Sequence, residues 1–91
     1  MSEDPSAVRL ARLRYRSWHR GTREMDLLLG PFADRHLAEL DEAGLESYER
    51  LLELPDPQLF AWLTGRIEVP SDADSPALRR VMDYCRARFD S

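Results

Sequence analysis

Three times in this chain an Asp or Ser stands directly before a proline: Asp4-Pro5, Asp56-Pro57 and Ser75-Pro76. Each pair reads as a helix start. The Asp or Ser oxygen can accept the unpaired N–H groups of a first turn, and Pro fits the first helical position, where no N–H is needed. Apolar residues at three-to-four spacing follow each pair. In the first helix Val8, Ala11, Tyr15 and Trp18 form one stripe, with Arg9, Arg12 and Arg16 on another face. A short fourth helix carries Leu59, Phe60, Trp62 and Leu63. Leu78, Val81, Met82, Cys85 and Phe89 line the last.

Two more helices fit between. The second begins near Thr22 and runs to about Leu40, its apolar face traced by Met25, Leu28, Leu29, Phe32, His36, Leu37 and Leu40. Pro31 removes a backbone hydrogen bond, so Gly30-Pro31 predicts a kink or a short break. Asp41 reads as the cap of a third helix, with Leu45, Tyr48, Leu51 and Leu52 inward. Gly44 weakens its first turn by about 1 kcal/mol relative to Ala. Leu54-Pro55 ends it, because the residue before Pro avoids the helical region. Gly21 and Gly65 stop the first and fourth helices, and residues 66–74 form a loop. Only the short Ile67 and Val69 pair resembles strand alternation. The expected fold is all-α: a small bundle of five short helices forming a single domain over residues 5–91, after a disordered tail at 1–4.

Composition narrows the function. With 91 residues and 43% hydrophobic content, the chain supports one modest core. Its apolar runs are only a few residues long, so no membrane insertion is expected. Glu3 and Asp4 with no apolar segment behind them do not make a secretory or transit peptide, and the expected location is cytoplasmic. The lone Cys85 excludes a disulfide framework and falls on an apolar stripe, as a core residue would. His36, also on an apolar face, lacks a second metal ligand at a fitting spacing. Asp72 and Asp74 suit the N-terminus of the last helix. No nucleophile elbow or phosphate-cradling loop is present, so no enzyme activity is expected. Net charge is −4, although Arg9, Arg12, Arg14, Arg16, Arg20 and Arg23 make the front of the chain basic. An acidic whole repels a polyanion at a distance, so no nucleic-acid partner is expected.

One stretch exceeds what scaffold requires. Arg20-Gly21-Thr22-Arg23-Glu24 lies between two helices, where a turn needs only the glycine. Each residue has a structural role open to it. Gly21 stops a helix, Glu24 reaches back as in a capping box, and Arg20 pairs with Glu24 for about 0–1 kcal/mol if exposed. A recognition role is equally open. A surface glycine admits another protein's backbone, and Arg and Glu make directional contacts.

Arg20-Gly21-x-x-Glu24, set in the run from Tyr15 to Ala33, resembles the R-G-x-x-E motif of the SdhE/Sdh5 family. These are assembly factors for covalent flavin attachment to succinate dehydrogenase. The stretch at residues 51–63, LLELPDPQLFAWL, resembles the family's other recurring block, and the likeness covers roughly residues 9–89. The resemblance implies a five-helix bundle and a non-catalytic, chaperone-like role. The implied client is the flavoprotein subunit of succinate dehydrogenase, with related fumarate reductase flavoproteins as further clients. FAD is then the client's cofactor, and none is held tightly here, where no dinucleotide fingerprint occurs. The implied partner-binding residues are Arg20, Gly21 and Glu24, with Arg23 and Asp26 nearby. His19 stands where many members have Arg and takes no role from the family. A general protein-interaction adaptor or an antitoxin-like regulator is the alternative.

Overall fold

Side chains cap three helix starts among residues 5–89, which are those this computed structural model describes. The first described helix, α1 (Pro5–Trp18), opens on the expected proline. In α2 (Arg23–His36) the cap is Thr22, whose hydroxyl accepts from the Met25 N–H at 3.3 Å. The cap of α3 (Glu42–Leu51) is Asp41, accepting from the Gly44 N–H at 2.8 Å. Before α5 (Pro76–Phe89), Ser75 accepts from the Leu78 N–H at 3.1 Å. The exception is α4 (Asp56–Leu63). Pro55 holds the cap position in extended backbone, so Asp56 is the first helical residue and Pro57 the second. Asp56 was expected to be the cap; at the first helical position its charge favours the helix N-terminus instead. The fold class is all-α, with five α-helices among the described residues and short 3-10 turns at Leu37–Glu39 and Ser71–Ala73. No residue among those described is in a strand. No helix among them is long and apolar enough to cross a membrane. The tail expected at 1–4, and the place of the Phe89 side chain on the inner stripe, lie outside the described residues.

The chain divides into two compact units, one ending at Leu40 and one beginning at Asp41. In the first, α1 packs on α2, and Leu13, Met25, Leu29, Phe32 and Leu37 are almost wholly buried. Burying each such side chain contributes about 1.5–3 kcal/mol. The stripe expected on α1 is corrected here. Leu13 and Ser17 are the buried positions, whereas Ala11 is exposed and Tyr15 is 64% exposed. Ser17 tolerates burial because its hydroxyl donates to the Leu13 carbonyl at 2.7 Å.

Trp18 is half-buried, and its indole lies on the backbone of Gly30. A Cβ at position 30 would overlap the ring, so glycine is what lets α1 approach α2 this closely. The indole N–H donates to Asp34 at 3.2 Å, which helps hold the ring in place. No break occurs at Pro31: α2 runs through it. His36 is half-buried, beside the Phe32 ring, with Nδ1 2.7 Å from Glu39 Oε1.

In the second unit α5 packs against α3 and α4. Leu45, Tyr48, Leu51, Leu59, Val81 and Cys85 are buried. The Ala77 N–H of α5 donates to the buried Ser47 hydroxyl of α3 at 3.3 Å, so a first-turn donor that its own helix leaves unpaired is satisfied. Helix α4 ends as expected at Gly65, with φ +76°. The Arg66 N–H reaches back to the Ala61 carbonyl at 2.9 Å and the Gly65 N–H to Trp62 at 3.2 Å, a paired C-terminal closure that positive φ makes possible. Burial pushes the Cys85 thiol up to about 11, so it stays protonated and packs as an apolar residue.

Candidate functional site

The corner between α1 and α2 is built from four residues that belong to neither helix. Trp18 is the last residue of α1 and Arg23 the first of α2, leaving His19, Arg20, Gly21 and Thr22 to make the change of direction. Gly21 has φ +119°, in the region that side-chain-bearing residues avoid. The helix stop expected at Gly21 falls three residues earlier, and the glycine supplies the bend itself. Thr22, in extended backbone, then caps α2.

That cap reassigns Glu24. A capping box needs the acid three positions after the cap, which is Met25 here, and Met25 is 1% exposed. Glu24 is the second helical residue and is exposed. Its charge suits the N-terminus of α2, and it is not folded back on the turn. Arg23 is also exposed, so Gly21, Thr22, Arg23 and Glu24 form a continuous exposed run ending at buried Met25.

Asp26 faces the other way. Its Oδ1 accepts from the Arg20 backbone N–H at 2.6 Å, spanning six residues, while its own N–H donates to the Thr22 carbonyl at 3.1 Å. The carboxylate thus ties the start of the corner to the first turn of α2. Of the five positions singled out in the sequence, four lie on the corner's surface or its rim, and Asp26 braces the backbone that displays them. Removing the brace has a local signature. Asp26→Ala should cost about 1–3 kcal/mol and expose the Arg20 amide to faster hydrogen exchange. Asp26→Asn keeps an acceptor and should retain most of that protection. Equal exchange at Arg20 in the wild type and Asp26→Ala would show that the carboxylate braces nothing.

Tyr15 and His19, missed as a stacked pair, lie at the entry to the corner. The rings of Tyr15 and His19 stack with centroids 4.0 Å apart and planes 19° apart. His19 Nδ1 lies 2.7 Å from the Tyr15 carbonyl, so it carries the proton and donates. Both residues are exposed. The sequence signal was available: an aromatic and a histidine four apart at the end of a helix face each other.

The corner offers a planar cation, a carboxylate and a bare backbone on a braced frame. Among the described residues no group of three or more His, Cys, Asp or Glu side chains is placed to hold a metal ion. The arrangement is suited to gripping another protein through directional contacts with a close backbone approach.

Residues 11–85 match the family model Sdh5, described as flavinator of succinate dehydrogenase. The chain is 40% identical over 88 residues to the FAD assembly factor SdhE of Acetobacter pasteurianus, covering 97% of this chain and 81% of that one. It is 40% identical over 75 residues to the mitochondrial succinate dehydrogenase assembly factor 2 of Dictyostelium discoideum, covering 82% of this chain and 53% of that one. With its counterpart in Mycosarcoma maydis it shares 44% identity over 64 residues, 70% of this chain and 27% of that one. The chain therefore spans most of the bacterial relative and about half or less of these two mitochondrial ones. Residues 20–26 fall inside the matched span.

Proposed function

The chain belongs to the Sdh5 family of succinate dehydrogenase flavinators, and from that membership we propose that it binds the flavoprotein subunit of succinate dehydrogenase and promotes covalent attachment of FAD to it. The observation that carries the proposal is the family match across residues 11–85, which contains the whole braced corner. The protein is an assembly factor and not a catalyst. The bond forms between the client and its own FAD.

Positioning is sufficient for such a role. Holding two reacting groups in attack geometry can remove about 7–11 kcal/mol of a barrier with no reacting side chain in the helper. Gly21 admits the client's backbone, Arg20 and Glu24 orient it, Arg23 adds charge at the rim, and Asp26 keeps the frame. The basic front, with Arg12, Arg16 and Arg20, faces an acidic client surface. FAD is not held tightly by this chain. Fumarate reductase flavoproteins are further clients by the same reading. The work is done in the cytoplasm, without membrane insertion and without nucleic acid.

The direct test is deletion of the gene followed by in-gel flavin fluorescence of denatured extract. The band at the size of the succinate dehydrogenase flavoprotein should disappear and return when the gene is restored. A band of wild-type intensity in the deletion strain would remove the flavinylation role and leave a general adaptor.

A further inference from the structure

Tyr15 is the most exposed large apolar side chain on the front of the chain, at 64%, on a helix that packs its other side against α2. A single exposed aromatic is ordinary, but two features here point to a partner. The first is rigidity. The ring is stacked on His19, and His19 is itself tethered through Nδ1 to the Tyr15 carbonyl. Immobilising a side chain on binding costs about 0.5–1.5 kcal/mol, and the stack and the tether lower that cost for both rings. The second is the charge around it. Helix α1 carries Arg9, Arg12, Arg14 and Arg16 and no acidic residue, in a chain of net charge −4. Among the described helices, Tyr15 therefore sits on the one whose charge is wholly basic.

We propose that the Tyr15–His19 pair is a second contact of the docking face, an aromatic shelf seated in an apolar hollow on an acidic surface of the client flavoprotein. This rests on the reading of the corner as the client's docking point. His19 directly precedes Arg20, so the shelf and the corner are continuous along the chain. Tyr and Arg are among the residue types that dominate binding energy when a contact is desolvated, and here Tyr15 stands between Arg14 and Arg16. The arginines select the acidic surface, the shelf supplies the buried area, and Gly21 sets the closest approach. A nucleic acid would also accept arginines and a stacking ring, but the family membership points to a protein client.

The test is the affinity of the full-length chain for the purified succinate dehydrogenase flavoprotein subunit lacking covalent flavin. Tyr15→Ala should weaken binding on the order of tenfold or more, while Tyr15→Phe, which keeps the stack, stays within about twofold of wild type. Tyr15→Ala should not change thermal stability by more than a few degrees, as expected of an exposed site. If Tyr15→Ala binds like wild type while Gly21→Arg binds poorly, the shelf is refuted and the corner stands. If the wild type does not bind the subunit at all, both fall. If Tyr15→Ala loses affinity for a single-stranded oligonucleotide and none for the flavoprotein, the shelf is a nucleic-acid contact and the proposal is overturned.

Discussion

Gly30→Val should lower the melting temperature by roughly 10–20 °C. The new side chain must enter space that the Trp18 indole occupies, and overpacking of this kind costs up to about 3 kcal/mol. In a domain of this size each kcal/mol shifts Tm by about 4–8 °C. The indole cannot swing aside freely, because doing so breaks its hydrogen bond to Asp34 and uncovers α2. Gly30→Ala is the finer probe. A methyl in mid-helix gains about 1 kcal/mol of helix propensity, which opposes the clash, so its net effect is smaller. In a Trp18→Ala background the clash is absent, and Gly30→Ala should become stabilising by about 1 kcal/mol. Thermal denaturation of the four proteins in this cycle decides it. The same sign for Gly30→Ala in both backgrounds would mean that the ring is not what reserves position 30 for glycine.

The largest functional effect is expected at the corner. Gly21→Arg, supplied as the only copy of the gene, should reduce covalent flavin in the succinate dehydrogenase flavoprotein to the level of the deletion. Two costs combine there. Position 21 has φ +119°, which costs a residue with a side chain about 1–3 kcal/mol, and the arginine occupies the space a client backbone would enter. Gly21→Ala separates them, since it carries the backbone strain with little bulk. Flavinylation should fall far less in Gly21→Ala than in Gly21→Arg, and both should keep their helical circular dichroism, because the strained residue lies outside α1 and α2. Wild-type covalent flavin in a folded Gly21→Arg protein would falsify the docking role of the corner. Equal loss in the two variants would assign the effect to strain alone.

The parts of the fold that were legible in the sequence are those governed by neighbours along the chain. The caps at Asp41 and Ser75 and the stop at Gly65 each depend on hydrogen bonds spanning three to five residues, so residue type and spacing locate them. The stripe of α1 was misread because that helix is apolar on more than one side. Val8, Ala11, Tyr15 and Trp18 make one candidate stripe, while Leu10 and Leu13 lead to Ser17 on another. A serine seldom marks a core face, and only its bond to the Leu13 carbonyl makes it acceptable there. Trp18, on the expected stripe, does pack against Gly30, a contact across twelve positions that no local period encodes. The corner shows the same division. Arg20, Gly21, Arg23 and Glu24 stood out as types too rich for a turn. That Asp26 braces the Arg20 amide depends on the path of the backbone between them, which a sequence pattern does not contain.

The bond from the Ala77 amide to the Ser47 hydroxyl bears on registry as well as on satisfaction of a donor. Apolar faces such as those of α3 and α5 are permissive about sliding, since one leucine replaces another when a helix moves by a turn of about 5.4 Å. A buried hydroxyl is not permissive. Sliding α5 by one turn would carry the Ala77 amide away from its acceptor and strand it in a dry interior, a penalty of about 1–3 kcal/mol that the correct alignment alone avoids. One serine thereby works as a vernier mark between two helices, across thirty positions of the chain.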